Sequence, residues 1–537
     1  MSEKLIAGFL KCRNSILRND LYNCLLNLEN YIDDLFVCSD ASYDGTTEIL
    51  QEIVPEDQLL IVPPEKHSFA REMYHKQELM EMLHKRGPYS FIFWIDSDEI
   101  LDDFGTHGLR QFCKDNLTST IQAWSFHYTQ FWRNTEYART DEGFDDGHFI
   151  KLWRYRPDLE FEVGEGTHRI QFPKQVMLAY MEQKIHPAPF EILHYGNVGQ
   201  TLKWKHIQYH RSLLGGLDRH LKFNNKSTYR KVDQNIIPEG AVKIPGGEPQ
   251  PFTDDYIEKT IMLDNLTKLQ EHFCVIISSY NRADTLPAAL DSLLAQTYQK
   301  WHCIVADDGS VDSTEQVMQE YCDKDPRIFY AKYLDHKGGV AINELGMQMA
   351  IETAEYFVRL GSDDQLFPHS LETYKEAFRL GHQALYSPFV VKRGNVFGEI
   401  GNLPVPHKVI KEKFPQGGFF ASWASFAVKC NVLQQVKDKY GNFVDPRLIN
   451  MEDFLFNYRV STLIPWIFVM KNNEGYTIDP DEQIMKDIHD KKIKIEPSGF
   501  WNCVTTGASG NTELYNKDQQ MTLHIIAEEQ IKYESIK

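Results

Sequence analysis

A short apolar run that ends in an acidic Gly/Ser turn and then passes into an amphipathic segment occurs twice in this chain. It runs over Asp34–Thr47, with Asp40 and Asp44 in the turn, and again over His302–Thr314, with Asp307, Asp308 and Asp312. This rhythm is the β-turn-α unit of a parallel sheet covered by helices, and the acids fall at the carboxyl edge of the strands, where open α/β sheets bind ligands. Each copy then has a second apolar run ending in acid, Phe91–Glu99 with Asp96 and Asp98, and Tyr356–Asp364 with Asp363 and Asp364. The separations are equal, 96 − 40 = 56 and 363 − 307 = 56. Two ordered pairs at one spacing imply a duplicated domain.

Length and composition agree with two such domains. A chain of 537 residues suggests two to four domains, and 42% hydrophobic with 25% charged residues is the balance of a globular protein rather than a disordered or fibrous one. The net charge, 57 − 76 = −19, argues against non-specific binding to nucleic acid or anionic membrane, while leaving room for a local basic groove. The nine scattered cysteines form no C-x-x-C pair, which argues against a structural zinc site and a disulfide framework and for free thiols in a reducing compartment. The first ten residues lack the character of a signal peptide. The most apolar stretch, Leu463–Met470, contains Pro465 and is shorter than the roughly 20 residues of a membrane helix. The expectation is a soluble, cytoplasmic protein, with peripheral membrane association or a host cytoplasm (if viral) left open.

Between the copies, Lys222 to about Asp255 is rich in Asn, Pro, Gly and charge and reads as a linker or surface excursion. Tyr256–Leu269 reads as a helix leading into the second domain, and the tail from Thr512 has helical periodicity suited to packing on a domain or partner. The boundaries expected are residues 1–221 for domain 1, 222–271 for linker and helix, 272–500 for domain 2 and 501–537 for the helical tail.

Two carboxylates one residue apart beyond a buried strand converge on one spot. The pair Asp96 and Asp98, and its counterpart Asp363 and Asp364, suit a hard cation such as Mg2+ or Mn2+ shared with substrate phosphates. The second copy opens with Val275–Arg282, a buried strand ending in polar residues, followed by an amphipathic helix over Asp284–Gln296. Glu452 and Asp453 open a further helix; a carboxylate pair there suits the helix dipole, and equally a general base. His206 and His210 have metal-compatible spacing but no H-E-x-x-H glutamate, and no G-x-x-x-x-G-K-[ST] loop is present. Tyr128, Phe131, Trp132, Tyr137 and Trp153 read as core packing, with a sugar-stacking groove as the alternative.

The ordered segments Ser278–Arg282, Asp307–Thr314, Lys337–Asn343, Gly361–Asp364 and Glu452–Asp453 resemble the motifs of family 2 inverting glycosyltransferases of GT-A fold, over roughly residues 272–470. That resemblance implies that Tyr280 and Asp307 or Asp308, with Lys337, hold the nucleotide sugar. It also implies that Asp363 or Asp364 reaches the metal and diphosphate and that Asp453, with Glu452 beside it, is the base. Gly417, Gly418 and Trp423 fall where the family shapes its acceptor pocket. The usual L-D-x-D-D departs here to Leu360-Gly361-Ser362-Asp363-Asp364. The first copy is similar to lipopolysaccharide-core β-glucosyltransferases, through Asn14, Ser39–Thr46, Phe69–Arg71, Asp96–Glu99, Lys151–Tyr155, Gly166–His168 and Ile192–Tyr195. By that resemblance Asp40 contacts the nucleotide, Arg71 the diphosphate, and Asp96 with Asp98 the metal. The family's H-E pair reads His168-Arg169, which would leave the base of this copy to another acid such as Asp145 or Asp146, or leave the copy working poorly.

The expected fold is therefore α/β, two tandem GT-A (Rossmann-like, nucleotide-diphospho-sugar transferase) domains with mostly parallel central sheets flanked by helices. The expected function is a bifunctional, metal-dependent (Mn2+ or Mg2+) glycosyltransferase moving sugars, UDP-sugars foremost, to a glycan or other hydroxyl with inversion. Two alternatives stand beside it. One is transfer to hydroxymethylated DNA bases, for which the basic stretch Lys203–Lys231 would track phosphates; the other is a non-catalytic, glycan-binding role for one half.

Overall fold

The protein is described by a computed structural model over residues 4–18, 20–42, 44–63, 72–140, 147–163, 172–182, 184–196, 198, 228–246, 248–249, 271–333, 336–393, 396–401, 426–448, 452–472, 475–478, 500–503 and 512–534. The chain divides into two compact units, Met1–Ile257 and Glu258–Lys537.

Unit 1 contains β1 (Lys4–Cys12), β2 (Asp34–Asp40), β3 (Leu59–Val62), β4 (Tyr89–Asp96), β5 (Glu99–Leu101), β6 (Ala123–Trp132), β7 (Asn134–Arg139), β8 (His148–Arg154), β9 (Ile185–His194) and β10 (Tyr229–Lys231). The sheet order is β10-β7-β6-β8-β4-β1-β2-β3, with β9 against β6 and β5 against β9. β4, β1, β2 and β3 run parallel, and β8 joins β4 antiparallel. A parallel strand is covered on both faces, so its sequence must be apolar throughout; Ile6–Ala7 and Phe91–Ile95 are buried residue after residue. Phe9 anchors this core edge-on to Phe36 and Trp94, each at 5.8 Å between ring centroids. Of that aromatic zone Tyr128, Phe131, Trp132 and Trp153 are buried in the core, while Tyr137 is half-buried.

The Pro/Gly-rich stretch that reads as a linker lies along unit 1. β10 pairs with β7, and Ile237 joins Phe131, Leu193 and Tyr195 in one apolar cluster. Thr135 N–H donates to the Ile244 carbonyl at 2.9 Å, and Tyr195 O–H to that of Val242 at 2.9 Å. Low sequence hydrophobicity hid this because the attachment is largely through backbone groups.

Unit 2 contains β11 (Phe273–Ser279), β12 (Trp301–Asp307), β13 (Ile328–Lys332), β14 (Tyr356–Gly361), β15 (Asp364–Leu366), β16 (Ala384–Tyr386), β17 (Phe389–Arg393), β18 (Val396–Gly401), β19 (Phe426–Lys429), β20 (Trp466–Asn472), β21 (Gly475–Ile478) and β22 (Phe500–Cys503). Its main sheet has the order β13-β12-β11-β14-β19-β16-β20-β21, and a smaller one the order β15-β22-β17-β18. The first four strands are parallel, as in unit 1. The helix after β11 spans Leu286–Leu294, two residues shorter at each end than its amphipathic window, with Pro287 in its first turn. The tail forms a helix, Thr512–Glu534, tied to the helix Glu452–Ser461 by the buried Arg459 guanidinium on Glu529 at 2.6 Å. The window Tyr256–Leu269 lies outside the described residues.

The two units share a register that differs from the equal spacing of their acids. In unit 1, Lys11 pairs with Asp96 and Cys12 with Ser39; in unit 2, Ser278 pairs with Gly361 and Ser279 with Asp307. Asp40 thus corresponds to Asp308, Asp96 to Gly361, Asp98 to Asp363 and Glu99 to Asp364. Between true equivalents the separations are 98 − 40 = 58 and 363 − 308 = 55, so the shared 56 joins non-equivalent acids. What is duplicated is the strand order and the turn, with carboxylates shifted among neighbouring positions.

Beyond the acidic turn of unit 1, Asp102 caps the helix Asp103–Asp115, accepting from Gly105 N–H at 2.9 Å and from Glu191 N–H at 3.3 Å. Burial pushes its pKa up to about 6 against those two hydrogen bonds. A folded value above the unfolded one of about 3.9 means that its contribution favours the fold in acid and is lost as pH rises through 6. Asp102→Asn keeps a capping oxygen and is expected to flatten the melting temperature of the chain against pH between about 4 and 7. Parallel profiles for the variant and the parent would contradict this.

Candidate functional site

At the carboxyl edge of each parallel sheet, the turn after the second strand holds the turn after the first. In unit 2, Ser310 Oγ accepts from Asn281 N–H at 2.8 Å and Thr314 Oγ1 from Arg282 N–H at 3.1 Å. Asp312 in turn holds Thr314, accepting its N–H at 3.0 Å and its hydroxyl at 2.6 Å. In unit 1, Ser42, Thr46 and Asp44 do the same for Asn14 and Ser15. Asn14 and Asn281 take φ of 50° and 52°, a left-handed turn that asparagine tolerates. The Ser, Asp and Thr of the acidic turns are therefore framework.

The carboxylate of Asp307 is framework too. It is fully buried and accepts from Ser310 N–H and hydroxyl and from the Tyr330 hydroxyl. Asp308 faces the next loop, accepting from Lys337 N–H at 2.6 Å and Gly338 N–H at 3.0 Å, with His336 Nδ1 at 2.8 Å. The half-exposed ring of Tyr280 packs against His336 at 4.3 Å between centroids, tilted by 33°. Tyr280, Asp308, His336 and the Lys337 backbone thus form one wall, with an aromatic face and hydrogen-bonding groups of the kind a nucleobase takes.

The acidic turn lies beside it, after β14. Asp363 is half-buried and Asp364 is buried. Among the described residues Asp364 Oδ1 has no hydrogen-bond partner, and burial, then the neighbouring Asp363 charge, push its pKa up to about 8. Arg359 on β14 opposes that shift and donates to Asn343 Oδ1 at 3.3 Å, which also accepts from the Ser278 hydroxyl. The departure at Gly361 has a steric cause. A Cβ there would stand 2.5 Å from Asp364 Oδ2 and 3.2 Å from Asp363 Oδ1, so the carboxylates occupy the space a side chain would need. Asp453 sits in the first turn of its helix, accepting from Phe454 N–H at 2.8 Å; Glu452 opens that helix.

Unit 1 fills the same framework with different charges. Asp40 is buried and paired with Lys11 at 3.2 Å. Asp98 Oδ2 lies 3.0 Å from Arg18 Nη2 and 3.6 Å from His194 Nε2. Glu99 takes Lys151 Nζ at 2.6 Å and the Tyr128 hydroxyl, and Lys151 also stands 3.7 Å from the more exposed Asp96. Burial pulls the Lys151 ammonium down, but Glu99 and Asp96 outweigh it and hold it above the usual lysine value. Lys151, from the segment Lys151–Tyr155, and His194, from Ile192–Tyr195, thus both lie against the acids of this turn. Arg18, His336 and Arg359 were not among the candidates read from the sequence; each lies next to a motif, with no pattern of its own. Arg71, Asp145, Asp146, His168, Arg169, His206, His210, Gly417, Gly418 and Trp423 lie outside the described residues.

Residues 274–437 match the model of Glycosyl transferase family 2. Unit 2 therefore carries a family 2 glycosyltransferase domain. An uncharacterized glycosyltransferase of Rickettsia typhi is 38% identical over 98 residues, covering 18% of this chain and 29% of its own. A UDP-Glc:alpha-D-GlcNAc-diphosphoundecaprenol beta-1,3-glucosyltransferase, WfaP of Escherichia coli, is 29% identical over 124 residues, covering 22% of this chain and 48% of its own. The chain thus spans less than half the length of these relatives. The solved structure of S. aureus TarS 1-349 aligns with 36% of this chain and 57% of its own at 21% identity and a TM-score of 0.30, too slight a likeness to bear on fold or function.

Among the described residues no three His, Cys, Asp or Glu side chains converge as a metal cage. The family 2 domain nonetheless fits a hard cation completed by substrate phosphates, because two adjacent carboxylates include a buried oxygen without a partner. Unit 1 fits it poorly. A divalent ion about 4 Å from a guanidinium is repelled by about 8 kcal/mol, twice the interaction of two unit charges at an effective dielectric of 20.

Gly361→Ala is expected to cost about 1–3 kcal/mol of stability, the usual range for overpacking. In an Asp364→Ala background, which removes the opposing carboxylate, the same change is expected to cost far less. Equal costs in the two backgrounds, read from denaturant unfolding, would contradict the steric account.

Proposed function

We propose that this chain is a tandem glycosyltransferase that moves sugars from nucleoside-diphosphate donors, UDP-sugars foremost, to the hydroxyl of a glycan or related acceptor with inversion. The single observation that carries the reading is the convergence, within the family 2 domain, of the Tyr280–Asp308–Lys337 wall and the Asp363–Asp364 turn at one sheet edge. WfaP, named as acting on UDP-Glc, supports a UDP donor. The repeated strand order and locked turns support a second donor site in unit 1. The domain assignments proposed are those of the two compact units.

In unit 2 the base stacks on Tyr280, with Asp308 and Lys337 at its edge and ribose. Mn2+ or Mg2+ held by Asp363 and Asp364 would neutralise charge on the leaving diphosphate. Asp453 takes the proton of the acceptor hydroxyl, whose oxygen attacks the anomeric carbon opposite the breaking bond to the diphosphate, so configuration inverts. Glu452 stands beside it. In unit 1, Asp40 and Arg71 would serve the donor.

Among the described residues no helix is long and apolar enough to cross a membrane, and Cys12, Cys24, Cys38, Cys113, Cys274, Cys303, Cys322 and Cys430 are buried thiols in no disulfide. Both accord with the cytoplasmic location we propose. The stretch on which the DNA reading rests lies almost wholly outside the described residues.

Purified chain with a panel of UDP-, GDP- and dTDP-sugars, Mn2+ and glycan acceptors is expected to release nucleoside diphosphate from one or two donors. Asp453→Asn is expected to lower kcat for the unit 2 transfer by about 100–10,000-fold, the scale of a lost general base. Unchanged kcat would remove Asp453 from that role, and silence with every donor and acceptor, together with no donor-induced thermal shift, would overturn the enzyme reading.

A further inference from the structure

We infer that the acidic turn of unit 1 works without a divalent cation, because Arg18 and Lys151 of the chain itself stand where such an ion would compete. The inference rests on the proposed reading of unit 1 as a second donor site. The ligand class it assigns there is a nucleoside diphosphate bound without metal.

The shared register places Asp98 at the position of Asp363 and Glu99 at that of Asp364. In unit 2 the second carboxylate keeps a buried oxygen without a partner among the described residues. In unit 1 both carboxylates meet cations. Asp98 lies 3.0 Å from Arg18, which is also held by Asp20 at 2.8 Å, and Glu99 lies 2.6 Å from Lys151. The side chain of Lys151 is only 2% exposed, with its ammonium 5.5 Å from the Tyr128 ring centroid, so it has no path into water that would clear the turn for an entering ion. Even Asp96, the most exposed of the three acids, has Lys151 at 3.7 Å. Counted from the shared Asn14/Asn281 turn, the place of Arg18 in unit 2 falls on Thr285, which is uncharged. A hard cation needs carboxylates whose charge is not already met, and in unit 1 Arg18 and Lys151 meet that of Asp98 and Glu99.

Bound Mn2+ counted by EPR titration of the full chain tests this. The double variant Asp363→Asn/Asp364→Asn is expected to bind none at either turn, and adding both Arg18→Gln and Lys151→Gln to it is expected to create one site by releasing Asp98 and Glu99. An ion that persists in the double variant and disappears on adding Asp98→Asn would overturn the inference. So would failure of a folded quadruple variant, judged by its melting curve, to gain a site. Should that quadruple variant not fold, Asp98→Asn in the parent decides: an unchanged count supports the inference and a lost ion overturns it. A parent chain that binds no Mn2+ would support the inference for unit 1 while removing the metal from the proposed unit 2 site, so the two failures are distinguishable.

Discussion

Both sites depend on one interaction: a hydroxyl in the second turn accepting a backbone N–H from the first. Ser42 and Thr46 hold Asn14 and Ser15, and Ser310 and Thr314 hold Asn281 and Arg282, at 2.8 to 3.2 Å. Turns at the end of a parallel sheet have orphan N–H groups, and each left unmet in a buried setting costs about 1–3 kcal/mol. Meeting them with side chains of the neighbouring turn fixes both loops at once. The other acids of these turns can then vary without disturbing the edge on which they stand.

That separation of framework from charge explains how the two units diverge. The same positions carry Asp98 and Glu99 in one and Asp363 and Asp364 in the other, yet the first pair is met by Arg18 and Lys151 while the second keeps an unmet oxygen. Removing one partner of a buried ion pair leaves an uncompensated charge, so Arg18 and Asp98 are bound to each other's presence. The same logic accounts for Gly361. Once Asp364 folds back over that position, a larger residue has no room.

The parallel strands were legible because burial on both faces forces continuous apolar runs, as in Phe91–Ile95 and Val275–Ile277. The acids were legible as a set but not in their roles. Asp307 and Asp312 share a turn with Asp308, and only the side-chain hydrogen bonds show that the first two are consumed by Ser310, Tyr330 and Thr314. The equal spacing of 56 misled for the same reason, since it tracks residue type while the fold tracks position. Lys151 and Glu99 are 52 residues apart, and Arg18 carries no motif, so their meeting required the sheet order β6-β8-β4-β1 to be known. The Pro/Gly stretch before Ile257 read as a linker because backbone hydrogen bonds leave no trace in hydropathy.

The central claim is that one framework carries two nucleotide sites, of which one relies on a divalent ion and the other on side chains of the chain. Calorimetric titration of the full chain with UDP tests it most directly. Two equivalents bound in Mn2+ and one in EDTA is the result expected. No binding under either condition, loss of both equivalents in EDTA, or two equivalents unaffected by EDTA would contradict it.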